Sequence, residues 1–199
     1  MSGGLGIFGG TFDPIHNGHL ALARAALELC SLEKILFVPA AHPPHRATGP
    51  RVSFEDRFRM VELACAGQAR FQPSRIEEGD HISYSIVTIE KIQAHHPGMP
   101  LYFIIGADAF AEIRTWKRWT EVIASVDFVV AGRPGAYYSV PDGARVHPLP
   151  MDVPVSSSAI RQLIEAGAGH LPVPPTVEAY ILAHRLYLSH NQTENPVNR

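Results

Sequence analysis

The stretch that decides the fold lies near the start of the chain and reads Gly9-Gly10-Thr11-Phe12-Asp13-Pro14-Ile15-His16-Asn17-Gly18-His19. A short apolar run, 5–8, precedes it and predicts a strand, whereas residues 19–29 are rich in helix formers and predict a helix. The stretch is therefore a glycine-rich turn between a strand and a helix. A helix start presents free N–H groups and a positive dipole end, which favours an anion such as phosphate.

Two histidines stand at this predicted helix start. His16 and His19 are three residues apart, which places them on neighbouring positions of the first turn, so that both can face one ligand. The glycines of the turn allow the backbone to approach that ligand closely. A reading of these histidines as zinc ligands is disfavoured, because no thiolate or carboxylate converges with them in the sequence.

Composition sets limits on the class of protein. The chain has 199 residues, of which 46% are hydrophobic and 18% charged, as is typical of globular proteins. We expect one domain over 1–190, with a helical part from about 156, and a disordered polar tail over 191–199. A net charge of -2 argues against a nucleic-acid or membrane-surface binder. No apolar run is long enough to span a bilayer and no signal-peptide pattern is present, which predicts a cytoplasmic location.

Strands and helices are predicted to alternate along the chain. The apolar runs predict strands at 5–8, 34–39, 101–106, 127–132 and 145–149. Helices are predicted at 54–66, 85–94, 119–124, 156–166 and 174–189. This order indicates an α/β fold with a Rossmann-like, doubly wound parallel sheet and C-terminal helices. Ligands of such sheets bind at the carboxyl ends of the strands, where the turn after residue 8 lies.

A second candidate phosphate site lies far along the chain, at 155–161. Serines that precede a helical pattern are N-cap residues, and Ser156 or Ser157 suits that role. The same serines, with Ser158 and with Arg161 one turn further on, also suit a phosphate, since hydroxyl and free N–H groups meet a guanidinium there. Capping and phosphate binding do not exclude each other.

Three further segments carry candidate binding residues. One is the proline-rich loop 42–46, with His45 and Arg46, and another is the end of the strand at 101–106, where Gly106 and Asp108 lie. Asp108 alternatively caps the next helix. The third combines 83–88 with two tryptophans, Trp116 and Trp119, which are more often core residues than ligand platforms when considered alone.

The stretch 9–19 resembles the H-x-G-H signature of the nucleotidyltransferase superfamily, and its full length is most similar to the bacterial nicotinate-nucleotide adenylyltransferases. The segments 42–46, 104–110 and 155–161 resemble further motifs of that family, in the family's order. Three differences are that Arg46 stands where lysine is usual, Val155 where isoleucine is usual and Ser158 where threonine is usual. The resemblance implies a nucleotidyltransferase-type fold and contacts to ATP from Gly9, Gly10, Thr11, Phe12, His16, Gly18, His19, Gly106, Asp108, Ser156, Ser157, Ser158 and Arg161.

The resemblance also implies a reaction, in which the phosphate of nicotinate mononucleotide attacks the α-phosphorus of ATP and pyrophosphate leaves. His16, His19 and Arg161 are then the catalytic residues, and Mg²⁺ is a cofactor held mainly by phosphates, with no metal ligands assigned in the protein. Nicotinate mononucleotide is expected to contact Thr11, His45, Arg46, Thr88, Trp116 and Trp119. The expected partners are these two small molecules, and the sequence leaves open whether the chain forms a homo-oligomer.

Other functions remain as alternatives. A relative with nicotinamide mononucleotide or phosphopantetheine as acceptor would share the H-x-G-H core. A different class, a NAD-binding oxidoreductase or a non-catalytic nucleotide sensor, is suggested by a G-x-G-x-x-G match at 4–9. No strand precedes that match, and this class leaves both histidines and the serine-arginine segment unexplained.

Overall fold

A parallel sheet of six strands forms the centre of the molecule. The computed structural model describes residues 3–43, 49–79, 82–133 and 135–188. All neighbouring strands pair in parallel, in the order β3-β2-β1-β4-β5-β6. The strands are β1 (Leu5–Gly10), β2 (Lys34–Pro39), β3 (Phe71–Pro73), β4 (Leu101–Gly106), β5 (Asp127–Gly132) and β6 (Arg145–Pro150). The order reverses between β1 and β4, and ligands of such sheets bind in the crevice at that reversal.

Helices cover both faces of the sheet. They are α1 (Asn17–Leu29), α2 (Phe54–Cys65), α3 (Ser85–His95), α4 (Ala107–Ala111), α5 (Trp119–Ser125), α6 (Ser157–Glu165) and α7 (Pro175–Ala183), with a 3₁₀ turn at Ile113–Thr115. The helices α1, α2, α6 and α7 pack on one face, and α3, α4 and α5 on the other. Residues of one strand alternate between the two cores, as Ile35 and Phe37 against Leu36 and Val38 show.

The predicted doubly wound parallel sheet is confirmed, and so is each strand and helix that the sequence predicted. Three elements were missed: β3, which has three residues, α4, which has five, and the 3₁₀ turn. Elements this short carry too few residues for a hydrophobic period to be visible. The helix predicted over 174–189 was too long, because α7 ends at Ala183 and a left-handed residue follows at Arg185 (φ 52°).

Several expectations fall on residues outside the described ranges, namely His45, Arg46 and the tail 191–199. Within the described ranges, none of the helices combines the length and the apolar character needed to cross a bilayer.

Candidate active site

The turn after β1 has a backbone conformation that few residues other than glycine adopt. Phe12 adopts a left-handed conformation (φ 50°), and its buried ring packs edge-on against His19 at 5.1 Å between centroids. A Cβ on Gly10 would lie 3.1 Å from the same ring. Gly9 and Gly10, two of the predicted ATP contacts, are the last residues of β1. Phe12 is another predicted ATP contact, but its side chain lies in the core and packs against the ring of His19.

His16 and His19 hold each other at the start of α1. The backbone N–H of His19 donates to Nδ1 of His16 (3.3 Å), and the backbone N–H of His16 donates to Nδ1 of His19 (3.2 Å), which forms a reciprocal capping box. The two rings stack with centroids 3.6 Å apart. Because each Nδ1 accepts a hydrogen bond, the hydrogen of each neutral ring is assigned to Nε2. The pair therefore presents two N–H donors.

The environment keeps both rings neutral near pH 7. Burial lowers the pKa of His16 from 6.5 to about 4. The pKa of His19 is also well below 6.5, first because of burial and then because of the neighbouring His16. Neutral imidazoles act here as hydrogen-bond donors and not as cations, so the positive charge of the site must come from another group.

The segment before α6 closes over the start of α1. A Cβ on Gly18 would lie 2.3 Å from Cγ1 of Val153 and 2.8 Å from Cγ1 of Val155, so that only glycine fits there without movement of its neighbours. The hydroxyl of Ser157 donates to the carbonyl of Pro14 (2.9 Å). The two segments predicted to bind phosphate are thus in direct contact, although they are far apart in the chain.

The hydrogen bonds of the serines at the start of α6 show which of them caps the helix. Ser156 is the N-cap and accepts from the N–H of Ala159 (3.2 Å), which confirms capping for Ser156 rather than Ser157. The hydroxyl of Ser158 lies 3.0 Å from that of Ser156, at the exposed start of the helix. Hydroxyl groups and helix N–H groups therefore face solvent together beside the glycine-rich turn.

Arg161 joins α6 to the glycine-rich turn through Asp13. Its Nη1 donates to the carbonyl of Asp13 (2.6 Å) and lies 3.8 Å from the carboxylate Oδ2. Asp13 is fully buried, and its Oδ2 also accepts from the backbone N–H of Arg51 (2.9 Å). Asp13 thus fixes three segments at once, a role that the sequence analysis did not assign to it.

Arg57 is a second buried charge that the sequence analysis missed. Its Nη1 donates to the carbonyls of Thr11 (2.8 Å) and Ala40 (2.7 Å), which ties the ends of β1 and β2 together. A signal for it existed in the sequence. Arg57 stands four and seven residues before Val61 and Ala64, on the buried face of α2. A charge on such a face must find partners in the core.

A cavity of about 610 Å³ opens at the carboxyl ends of β4 and β5. Gly106 and Asp108, two predicted ATP contacts, line it together with Leu22 of α1 and with Met151 and Val153, which precede α6. The cavity is lined by neither His16 nor His19, but Val153 connects it to Gly18. The N-cap of α4 is Gly106 and makes no side-chain cap bond, so the capping alternative for Asp108 is wrong.

Three of the predicted nicotinate contacts, Thr88, Trp116 and Trp119, lie on the other face of the sheet, around α3 and α5. Thr88 is buried, and its hydroxyl donates to Oε1 of Glu77 (2.5 Å). The other carboxylate oxygen of Glu77, Oε2, is buried without a hydrogen-bond partner among the described residues. The hydroxyl of Thr88 is therefore engaged inside the protein and not directed at solvent.

Both tryptophans are half-buried. Trp116 packs edge-on against Phe103 of β4, with centroids 5.8 Å apart, and both indoles contact the core on the α3 side of the sheet. Lys117 places its ammonium 4.1 Å over the ring of Tyr84, directly before α3. Partly exposed aromatic rings and a cation thus lie on the α3 side of the sheet.

Most of this chain is similar to proteins of one family. Residues 7–163 match the family described as cytidylyltransferase-like. A probable nicotinate-nucleotide adenylyltransferase of Solibacter usitatus is 54% identical over 185 residues, which cover 92% of this chain and 98% of that protein. A protein of Geobacillus thermodenitrificans with the same name is 41% identical, with 93% and 86% of the two chains covered.

Solved structures share the fold at lower identity. The nicotinic acid mononucleotide adenylyltransferase of Plasmodium falciparum, complexed with NaAD, superposes with a TM-score of 0.75 at 17% identity, over 92% of this chain and 96% of that one. A putative nicotinate-nucleotide adenylyltransferase of Vibrio parahaemolyticus gives a TM-score of 0.67 at 21% identity, over 92% and 94% of the two chains.

Proposed function

We propose that this chain, which belongs to the cytidylyltransferase-like family and within it to the nicotinate-nucleotide adenylyltransferases, joins ATP and nicotinate mononucleotide. The products are nicotinate adenine dinucleotide and pyrophosphate, a step of NAD biosynthesis. One observation carries the proposal. The turn 9–19 and the start of α6 meet through Ser157 and Arg161, next to the cavity at the carboxyl ends of the strands.

The reaction requires little covalent chemistry of the protein. A phosphate oxygen of nicotinate mononucleotide attacks the α-phosphorus of ATP, and the bond between that phosphorus and the pyrophosphate oxygen breaks. The nucleophile is already an anion, so catalysis consists of positioning and of stabilising charge in the transition state. His16 and His19 donate their Nε2 hydrogens to phosphate oxygens as neutral groups, and Arg161 supplies positive charge.

ATP occupies the cavity at the ends of β4 and β5 in this proposal. The adenosine part lies against Gly106, where a Cβ would meet no described atom within 4 Å, and Asp108 stands at the same wall. The phosphates extend toward the glycine-rich turn, where Thr11 and Gly18 lie. Ser156, Ser157 and Ser158 place the N-terminus of α6 beside those phosphates.

A divalent cation is compatible with the donors present. Asp108 and Asp152 are the carboxylates that line the cavity, and within the described ranges no group of three or more histidine, cysteine or acidic side chains could hold a metal by itself. This donor set fits Mg²⁺, which is bound by one or two carboxylates together with substrate phosphates and keeps several waters. When bound, the ion neutralises charge on the phosphates during transfer.

The acceptor site is proposed beside Trp116 and Trp119. Their half-buried rings are suited to stack on a pyridine ring, and Lys117 brings a positive charge that favours an acid over an amide. Because the hydroxyl of Thr88 already donates to Glu77, Thr88 acts through the placement of α3 and not through contact. His45 and Arg46 are proposed as further contacts to the substrate phosphates.

A turnover assay tests the proposed function. Enzyme, ATP and Mg²⁺ are supplied with nicotinate or nicotinamide mononucleotide, and pyrophosphate and dinucleotide are followed. We expect a strong preference for the acid. His19→Ala should lower kcat by about 10² to 10³, because a preorganised donor to the transition state is lost. His95→Ala, at the exposed last residue of α3, is the matched control.

The two measurements test the proposed function and the role of His19 separately. Absence of dinucleotide from the wild-type protein with nicotinate mononucleotide would refute the proposed function. Near-normal turnover of folded His19→Ala would leave the function standing and overturn the role given to His19.

A further inference from the structure

The two strands that lead to the proposed substrate sites separate at one point. β1 and β2 pair up to Gly10 and Pro39, and one more bond follows, from the N–H of Ala40 to the carbonyl of Gly10 (2.9 Å). Beyond that bond, one segment enters the glycine-rich turn at Thr11, and the other enters the loop that begins at Ala40. The carbonyls of Thr11 and Ala40 therefore lie past the last paired residues of these strands.

Arg57 bridges the two segments at this point. Its Nη1 donates to the carbonyl of Thr11 (2.8 Å) and to that of Ala40 (2.7 Å), and the residue is only 1% exposed. Hydrogen bonds from a charged donor are among the stronger ones in proteins, and the low dielectric of the interior strengthens them further. Because one buried donor is shared by both carbonyls, Arg57 fixes the distance between the two segments as they leave the sheet.

The loop after β2 is bonded, two residues later, to the segment that begins α3. The N–H of His42 donates to Oγ of Ser83 (3.1 Å), and the N–H of Ser83 donates to the carbonyl of His42 (3.1 Å). Ser83 directly precedes Tyr84, which is the N-cap of α3, and α3 packs on the other face of the sheet from α1 and α2. The segment 40–42 therefore joins the glycine-rich turn to the start of α3, and so joins the proposed ATP and acceptor sites.

We propose that Arg57 is a positioning residue for adenylyl transfer, which holds the segment 40–42, and through it the start of α3, at a fixed distance from the glycine-rich turn. Thr11, whose carbonyl Arg57 holds, is predicted to contact both substrates. The proposal rests on the proposed function. It adds to that function a structural reason why an acceptor bound beside α3 and an ATP bound beside α1 and α6 meet in line, with Arg57 acting from the core and touching neither substrate.

The physical argument concerns the alignment of the attacking phosphate. Transfer requires that the acceptor oxygen and the α-phosphorus meet within a narrow range of distance and angle, and a displacement of about 1 Å can cost about 10²-fold in rate. The glycine-rich turn keeps other supports when Arg57 is altered, because Ser157 donates to Pro14 and Arg161 donates to Asp13. Weakening the bonds of Arg57 therefore displaces the acceptor side relative to ATP, whereas the binding of ATP by itself is largely retained.

The first test replaces Arg57 by lysine, which keeps the charge and loses the planar fork of the guanidinium. Turnover with both substrates saturating is expressed per ATP-binding site, counted by calorimetric titration with ATP and Mg²⁺, so that unfolded protein does not count as lost turnover. We expect kcat of Arg57→Lys to fall about tenfold or more, and its Kd for ATP to change less than about threefold. Arg59→Lys is the matched control, since exposed Arg59 on α2 bonds only outward to Glu62 (3.1 Å), and it should change neither quantity by more than about twofold.

A second set of variants acts on the other end of the segment 40–42 and leaves the buried charge in place. Ser83→Ala removes the oxygen that accepts from the N–H of His42 and should lower kcat about fivefold, whereas Ser83→Thr keeps a hydroxyl there and should stay within about twofold of the wild type. The control is Ser125→Ala, which removes a hydroxyl that donates to the carbonyl of Glu121 (2.7 Å) in α5 and should change kcat less than about twofold.

The combined variant shows whether the two ends act through one segment. In an Arg57→Lys background, Ser83→Ala should cost less than about twofold, because the position of the segment is already altered. An equal cost in both backgrounds, wild-type kcat of Arg57→Lys or of Ser83→Ala, or a rise in the Kd for ATP as large as the fall in kcat would overturn the proposal. Should Arg57→Lys not fold, the Ser83 variants decide: wild-type kcat of Ser83→Ala overturns the proposal, and a loss that Ser83→Thr does not show supports it. Absence of dinucleotide from the wild-type protein would refute the proposed function and this inference together.

Discussion

Replacement of Gly18 by alanine is expected to destabilise the protein, against the usual trend for helices. Gly18 lies in the first turn of α1, and alanine generally stabilises helical positions by up to about 1 kcal/mol relative to glycine. Here the added Cβ would meet Cγ1 of Val153 at 2.3 Å and Cγ1 of Val155 at 2.8 Å. Valine side chains have little rotamer freedom, so relief requires that the backbone before α6 moves.

The magnitude follows from the cost of overpacking, which is about 1–3 kcal/mol. Both contacts are shorter than 3.0 Å, which favours the upper part of this range, about 2–3 kcal/mol. After a gain of about 1 kcal/mol in helix propensity is subtracted, we expect the free energy of unfolding of Gly18→Ala to fall by about 1–2 kcal/mol. For a chain of this length that corresponds to a decrease in Tm of about 2–8 °C. Because Ser156 follows the displaced segment, kcat/KM for ATP should fall as well.

The assay is urea denaturation followed by circular dichroism, with Gly169→Ala as the matched control. A Cβ at Gly169 meets no described atom within 4 Å, so that variant should lie within about 0.5 kcal/mol of the wild type. In a Val153→Ala background, Gly18→Ala should cost about 1 kcal/mol less, since the shortest contact is gone. Unchanged or increased stability of Gly18→Ala would refute the packing of 153–155 over α1.

Two further predictions concern buried polar groups. Thr88→Val should lower the free energy of unfolding by about 1–3 kcal/mol, because Glu77 loses its buried hydrogen-bond donor. The same variant should change KM for nicotinate mononucleotide by less than about threefold. A raised KM at unchanged stability would contradict this prediction. Since the pKa of His16 is about 4 in the folded protein and 6.5 for an unperturbed histidine, the unfolded chain binds more protons between these values, and stability should fall as the pH drops from 6.5 to 4. The loss of stability attributable to His16 is about 3 kcal/mol. It should be absent from His16→Asn, which retains an N-cap residue. The prediction would be refuted if urea denaturation showed the same pH dependence of stability for both proteins.

The sequence by itself determined the sheet and the place of the ligand site on it. Strand runs such as 35–39 and 101–106 are apolar over their whole length, and the helices between them repeat with a period near 3.6, so local patterns were sufficient. The glycine-rich turn, His16 and His19 are contiguous in the chain. Their arrangement is a local property of a strand followed by a helix, which explains why the capping position of His16 agrees with the prediction of a helix start there.

Only the tertiary structure decided which distant groups meet. The bond from Arg161 to Asp13 joins residues 148 positions apart. The burial of Tyr187 depends on a turn with two left-handed residues, which no hydrophobic period predicts. The sequence analysis predicted Thr88 as a substrate contact, whereas in the folded protein its hydroxyl donates to Glu77. Periodicity reports which face of an element is buried, whereas the partner of a buried polar group is set by how the elements pack, and that information is not local in the chain.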